Sequence, residues 1–224
     1  MHFLMGGIAI DRDGATGVPG LFAAGEAAAG LHGATRLNSQ GLTEGAVFGH
    51  RAGLAAAAFA DRAGDPEGGV AADADGAAAA ESFGIEVWKA DDPRIGGWHE
   101  ALGRLSLPAV NHEGGIAGGG GSLDEDSFVQ RLHGLMERGA GIVRGARSTT
   151  EALDEWEALA RESGGLNKGV ADPRRRFRLG AMLALARLLL EAGRVRGESR
   201  GAHHRSDQPE MDAAWATHIC FSRR

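Results

Sequence analysis

Apolar positions recur at helical spacing in four stretches of the chain. The first follows Gly41, with Leu42, Ala46, Val47 and Leu54 on one stripe. Val129, Leu132, Leu135, Met136 and Val143 share a face in the second, and Leu153, Trp156 and Leu159 in the third. The fourth carries Leu179, Met182, Leu183, Leu189 and Leu190. Start signals accompany the last three: Ser122 with Glu125 reads as a capping box, and Ser148 with Glu151 as another. Asp172-Pro173 offers an N-cap and a proline at the first helical position. Before the first helix, Gly7 to Ile10 and Leu21 to Ala24 read as short strands, joined by a turn at Asp11-Arg12-Asp13-Gly14. A glycine-rich loop from Gly25 to Gly41 completes a strand, loop, helix order. The pattern therefore predicts an α/β fragment, strands plus one helix, over residues 1–60 and an all-α three-helix bundle over 122–224. Periodicity is lost over 61–121, where an acidic alanine tract (72–80) and a glycine run (114–121) read as a Gly/Ala-rich linker with a little structure around Ile85 to Trp88.

Composition narrows the function. Glycine supplies 37 of 224 residues, more than twice the usual ~7%, so long loops are expected. Lys and Arg number 24 against 30 Asp and Glu, a formal charge of −6, and the cations are scattered, which argues against a nucleic-acid partner. The lone Cys220 excludes an intrachain disulfide and a multi-cysteine metal site, and fits a reducing cytoplasm. The longest apolar run, within Met182 to Leu190, is broken by Arg187 and falls far short of the ~20 residues that span a bilayer. Met1 is followed at once by His2-Phe3-Leu4-Met5, with no basic region or cleavage site of a signal peptide; it reads as a strand entered midway.

Candidate chemistry gathers in His2 to Arg51. Met5-Gly6-Gly7, Gly20-Leu21-Phe22-Ala23-Ala24-Gly25-Glu26 and Gly30-Leu31-His32-Gly33-Ala34-Thr35-Arg36-Leu37 converge on one loop. Glycines let backbone approach a large planar ligand where a side chain would collide. Glu26, directly after an apolar strand, is placed either to accept hydrogen bonds from ligand hydroxyls or to make a structural salt bridge. The Arg36 guanidinium offers a planar fork for a carboxylate, a surface cation being the alternative. His2 would add a second donor if its strand runs beside that loop. The helix after Gly41 turns its free N–H groups and positive dipole end toward the loop, which favours an anion. His203, His204 and Asp207 lack the spacing of a metal site and read as a solvated, charge-paired segment; Arg174-Arg175-Arg176 reads as a solvated first turn.

These stretches, together with Val47-Phe48-Gly49, resemble the succinate dehydrogenase, fumarate reductase and L-aspartate oxidase flavoprotein family. The tail Glu198-Ser199-Arg200-Gly201-Ala202-His203-His204-Arg205-Ser206-Asp207-Gln208-Pro209-Glu210 resembles that family's C-terminal signature. The resemblance covers roughly 1–54 and 122–218. It implies FAD as cofactor and a C4 dicarboxylate as substrate. His2 and Arg36 would hold the two ends of the acid, with His32 over the substrate or flavin edge. Gly6, Gly7, Gly25 and Glu26 would line the flavin, Glu26 on its polyol. The helix start at Ser39, Gln40, Gly41 and Leu42 would face the flavin pyrimidine and stabilise negative charge on the reduced ring.

The tail favours L-aspartate oxidase, which forms iminoaspartate for NAD biosynthesis; Met5 before the glycine pair leans toward fumarate reductase or succinate dehydrogenase. Departures are local: Thr35 stands where the family usually has Asn, and Ser39-Gln40-Gly41-Leu42 replaces Ser-Asn-Ser-Leu. No G-x-G-x-x-G strand-helix unit is visible for the ADP half of FAD, and the capping domain with the family's proton-transferring arginine has no counterpart. The chain is thus expected to be the C-terminal part of a larger flavoprotein. The alternatives are a dead remnant or a subunit that works with a second polypeptide supplying the flavin-binding half.

Overall fold

The computed structural model describes residues 5–16, 18–63, 83–89, 101–106, 124–169 and 172–223. The chain divides into two compact units, one of Met1–Gly76 with Trp88–Ala101 and the other of Ala77–Val87 with Leu102–Arg224.

In the first unit, strand β1 (Ile8–Ala9) pairs in parallel with β2 (Ala28–Ala29), Ile8 opposite Ala28 and Ala9 opposite Ala29. The turn at Asp11 forms as the sequence implies. The Gly14 N–H donates to the Asp11 carbonyl at 3.1 Å, and Asp11 Oδ1 accepts from the N–H groups of Asp13 and Ala15 at 2.9 Å each. The expected strand Leu21 to Ala24 is instead a single antiparallel bridge, Ala15 to Phe22. Glycines in the left-handed region at 20 (φ 78°) and 25 (φ 70°) cut it at both ends, and the pairing moves to β2, inside the predicted loop. Helix α1 (Gln40–Ala63) follows. Its predicted stripe is turned outward: Leu42 is 84% exposed, and Val47 and Leu54 are exposed as well. The face it packs instead runs through Gly41, Glu44, Gly45, Phe48, Ala52 and Phe59. Small residues there admit close approach: a Cβ on Gly14 would stand 2.7 Å from that of Ala52, and Phe22 meets Phe59 edge-on at 6.3 Å.

The second unit has its core among α2 (Glu125–Ala140), α3 (Ala146–Gly169) and α4 (Pro173–Val195), where Phe128, Leu132, Leu135, Trp156, Leu159, Leu179, Leu183 and Leu190 are buried together. The fourth helix starts as predicted, Asp172 accepting from the Arg174 N–H at 2.9 Å. The other two starts shift. Asp124 rather than Ser122 caps α2, accepting from the Ser127 N–H at 2.8 Å; Ser122 lies outside the described residues. Helix α3 opens two residues before Ser148, its Ala146 N–H capped from far along the chain by Asp207 Oδ2 at 3.1 Å.

This unit is not all-α. Strands β3 (Phe83–Lys89) and β4 (Ala101–Ser106), both inside the stretch expected as a linker, form a sheet with the C-terminal β7 (Thr217–Arg223) in the order β4-β3-β7. The run Thr217-His218-Ile219-Cys220-Phe221 is β-branched and aromatic enough to favour that strand. A parallel pair, β5 (Val143–Arg144) with β6 (His204–Arg205), ties the tail back to the α2–α3 corner.

The tail is charge-paired as expected, and His204 and Asp207 are exposed, but Glu198, Ser199 and Arg205 beside them are buried. Glu198 is 0% exposed, and its carboxylate accepts from Arg200 Nε (2.7 Å) and Nη2 (2.9 Å), Arg196 Nη1 (2.9 Å) and the Asp212 N–H (2.9 Å). Arg205, also buried, forks onto Asp207 at 3.0 and 2.6 Å and donates to the carbonyls of Arg194 and Arg196 at 3.2 and 2.9 Å. Arg187, the break in the apolar run, is buried over the Trp156 ring at 4.6 Å, with Glu191 at 3.7 Å. Arg175 of the predicted basic turn, and Arg178 beyond it, both pair with Glu125 of α2.

His203 accepts through Nδ1 from Arg144 Nη1 at 2.6 Å. Burial, and then the Arg144 charge, hold its pKa down at about 4. The folded ring stays neutral where the unfolded one, near 6.5, takes up a proton, so its contribution is whole above pH 6.5 and is lost as pH falls toward 4. With allowance for the ring's partial exposure, the loss is on the order of 1–2 kcal/mol. Urea unfolding of the full chain at pH 7 and pH 4.5 will show this decline, and His203→Gln will flatten it; an unchanged slope in the variant would assign the acid sensitivity to the carboxylates instead.

Candidate functional site

The candidate residues assemble around the first two turns of α1. The β1–β2 pairing sets Gly6-Gly7 beside Gly25-Glu26-Ala27, so closely that a Cβ on Gly7 (φ 155°) would overlap the Ala27 and Ala28 backbone. Glu26 sits exposed in a 3-10 turn, Gly25–Ala27, and a Cβ built on Gly25 would lie 3.9 Å from the Gly45 Cα of α1. Two glycine motifs are thereby set side by side, the second of them against α1. His2 lies outside the described residues.

Arg36 comes onto the same helix. Its guanidinium lies against Gly41, in the space a Cβ at that position would need. A cation here adds to the positive end of the helix dipole, so the two together favour an anion. Ser39, immediately before α1, has φ 69°, which is strained for a non-glycine residue, and its N–H is held by Asn38 Oδ1 at 3.1 Å. The turn aims Gln40, Gly41 and Leu42 at the helix start, with the Leu42 N–H donating to the Ser39 carbonyl at 3.3 Å. Gly41→Ala is expected to displace the flexible Arg36 side chain at little cost in stability. The Arg36 Nε resonance of labelled chain will move if it does and stay in place if the guanidinium has another seat.

His32 turns toward the helix. Its Nε2 lies 2.5 Å from Glu44 Oε2, with the His32 side chain 15% and the Glu44 side chain 4% exposed. Glu44 escaped the sequence reading because a lone acid after a glycine-rich helix start looks like a solvated position. Its spacing from Gly41 and Gly45, on a face of small residues, was the available signal.

The loop suits a large planar ligand. Gly6 (φ 112°), Gly30 (φ 110°) and Gly33 (φ 56°) all adopt left-handed backbone with open space in front of them, leaving bare main chain for a ring to approach. No group of three metal-ligating side chains occurs among the described residues, and none of their helices is long and apolar enough to cross a membrane.

The chain is similar to known flavoproteins. A family model described as FAD binding domain matches residues 1–42, and one described as fumarate reductase flavoprotein C-term matches 129–224. Among curated relatives, the fumarate reductase flavoprotein subunit of Mycobacterium tuberculosis is 34% identical over 221 residues, which is 95% of this chain and 33% of that one. The L-aspartate oxidase of Caulobacter vibrioides is 33% identical over 213 residues, 95% of this chain and 29% of that one. Of solved structures, a variant of E. coli quinol fumarate reductase FrdA superposes with a TM-score of 0.67 at 26% identity, over 99% of this chain and 36% of that one. Mycobacterium smegmatis Sdh1 in complex with UQ1 gives 0.65 at 26%, over 99% and 35%. The matched models, an FAD binding domain and a flavoprotein C-terminal region, define the class as a flavoprotein. The chain belongs to the fumarate reductase, succinate dehydrogenase and L-aspartate oxidase family of flavoproteins. It spans about a third of the length of the curated relatives it matches.

Proposed function

We propose that this chain forms one wall of an active site that moves a hydride between FAD and a C4 dicarboxylate or its amino analogue. The support is the pairing of Gly6-Gly7 with Gly25-Glu26, together with the approach of Gly25, His32 and Arg36 to the first turns of α1. In this reading Gly6, Gly7 and Gly25 leave room for the flavin, Glu26 accepts from its polyol hydroxyls, and Ser39 to Leu42 set the helix end toward its pyrimidine edge. When bound, FAD supplies a two-electron acceptor that takes or returns the hydride. Arg36 grips one carboxylate and His2 the other, fixing the substrate carbon for transfer, and His32 stands at the edge of that site.

Both L-aspartate and the succinate/fumarate couple remain candidate substrates, since relatives named for each reaction match almost equally well. The tail signature is the one feature that favours L-aspartate, and with it a cytoplasmic enzyme. The second reading is a split enzyme, in which another polypeptide carries the ADP-binding half. It is favoured by the exposed Leu37, Leu42 and Leu54 of the first unit, whose buried apolar positions among the described residues are Ala28 and Ala52. The chain should be purified alone and together with a polypeptide that carries an ADP-binding half, then assayed for flavin absorbance, for iminoaspartate or peroxide from L-aspartate, and for succinate–fumarate turnover. A yellow assembly that consumes one of these acids is the expected result; a yellow assembly inert to all of them would overturn the substrate class.

A further inference from the structure

We infer that Glu44 is a positioning residue for the arginine loop: through His32 it holds the segment carrying Arg36 on the first turns of α1. The inference deepens the proposed function and rests on it for the meaning of Arg36.

Three observations carry it. First, Glu44 is a buried carboxylate on a helix face otherwise made of glycine, alanine and phenylalanine, and a carboxylate in that setting is costly unless its oxygens are bonded. The His32 ring, 2.5 Å away and itself mostly buried, answers that requirement from the loop. Second, the loop has little steric support at its hinges. Gly30 and Gly33 bracket His32 in left-handed conformations with nothing within 4 Å of where a side chain would start. Two unhindered glycines would let the chain on either side of His32 swing, and the hydrogen bond between them opposes that freedom. Third, Glu44 stands one turn beyond Gly41, against which the Arg36 guanidinium packs. Tether and guanidinium therefore meet the helix on one face, three residues apart. The arginine is four residues from His32, so releasing the imidazole releases the segment that delivers the guanidinium.

Hydrogen–deuterium exchange on the full chain tests the tether without any flavin. His32→Ala and Glu44→Ala should each speed exchange over residues 30–39 by about ten- to hundredfold, the range of a lost hydrogen bond to a charged group, and the double variant should go no further than the larger single effect. Helices α2 to α4 serve as the internal control. Single effects that multiply in the double variant, or no change in 30–39, would overturn the inference. Should Glu44→Ala also open α1, the isosteric Glu44→Gln decides, with the same two outcomes over 30–39.

In the flavin-loaded assembly, Glu44→Gln should raise KM for the dicarboxylate about tenfold while kcat and the flavin spectrum change little, because the residue acts on substrate placement. A loosened loop with unaltered KM would sink this inference and leave the proposed function standing. A wild-type assembly that neither binds nor turns over any dicarboxylate would sink the proposed function, and the role given to Glu44 with it.

Discussion

Glu198→Ala will lower the unfolding free energy of the second unit by about 3–5 kcal/mol, the usual cost of removing one partner from a buried ion pair. The reason lies in what stays behind. Two guanidiniums, Arg196 and Arg200, and the Asp212 N–H all point at a carboxylate with no solvent exposure. Without it, two half-buried cations face each other. Glu198→Gln keeps the shape and one acceptor oxygen, so it should fall between wild type and Ala. Guanidinium chloride unfolding followed by tryptophan fluorescence will report the difference, and a change below about 1 kcal/mol would mean that water had replaced the carboxylate at no real cost.

The same network sets an acid limit. Burial alone would raise the Glu198 pKa, but the bonds from Arg200, the Asp212 N–H and Arg196 outweigh it and hold the group at about 2. The folded pKa lies below the unfolded 4.5, so its contribution is complete above pH 4.5 and disappears as pH falls toward 2.

Arg36→Gln will cost the flavin-loaded assembly about 100-fold or more in kcat/KM for a dicarboxylate. Loss of a charged, bidentate partner typically removes 2–5 kcal/mol. Arg36→Lys should recover little of this, because a lysine offers a point charge where a planar fork is needed. Flavin content should be unchanged in both variants. Steady-state kinetics with succinate, fumarate and L-aspartate will read the effect, and retention of more than a tenth of the wild-type kcat/KM would remove Arg36 from the substrate site.

What the sequence disclosed tracks how local each interaction is. Asp172-Pro173 announces α4 because cap, proline and helix are neighbours. The start of α3 was misplaced because its capping carboxylate, Asp207, arrives from the far end of the chain. The outward stripe of α1 was misread for a related reason. Leu42 and Leu54 keep helical spacing, but the close contacts are made by Gly41, Gly45 and Ala52, whose small side chains carry almost no hydropathy signal. Arg187 broke an apolar run on paper and is buried on Trp156 in the fold, since a guanidinium can spend its flat face on a ring. At the candidate site, glycines and Arg36 were legible as residue types. The His32–Glu44 bond was not, because a loop residue and a helix residue 12 positions apart show no periodic relation.

The two-residue β5–β6 pairing joins Val143 with His204 and Arg144 with Arg205, so the clasp encloses both long helices between its halves. Closing a loop of that length costs roughly 3–4 kcal/mol of chain entropy by the logarithmic rule, more than two short strands return on their own. The pairing is therefore stable only with α3 and α4 docked, and the Asp207 cap on α3 depends on the same closure. The connectivity thus couples the burial of Glu198 and Arg205 to the packing of the helices between.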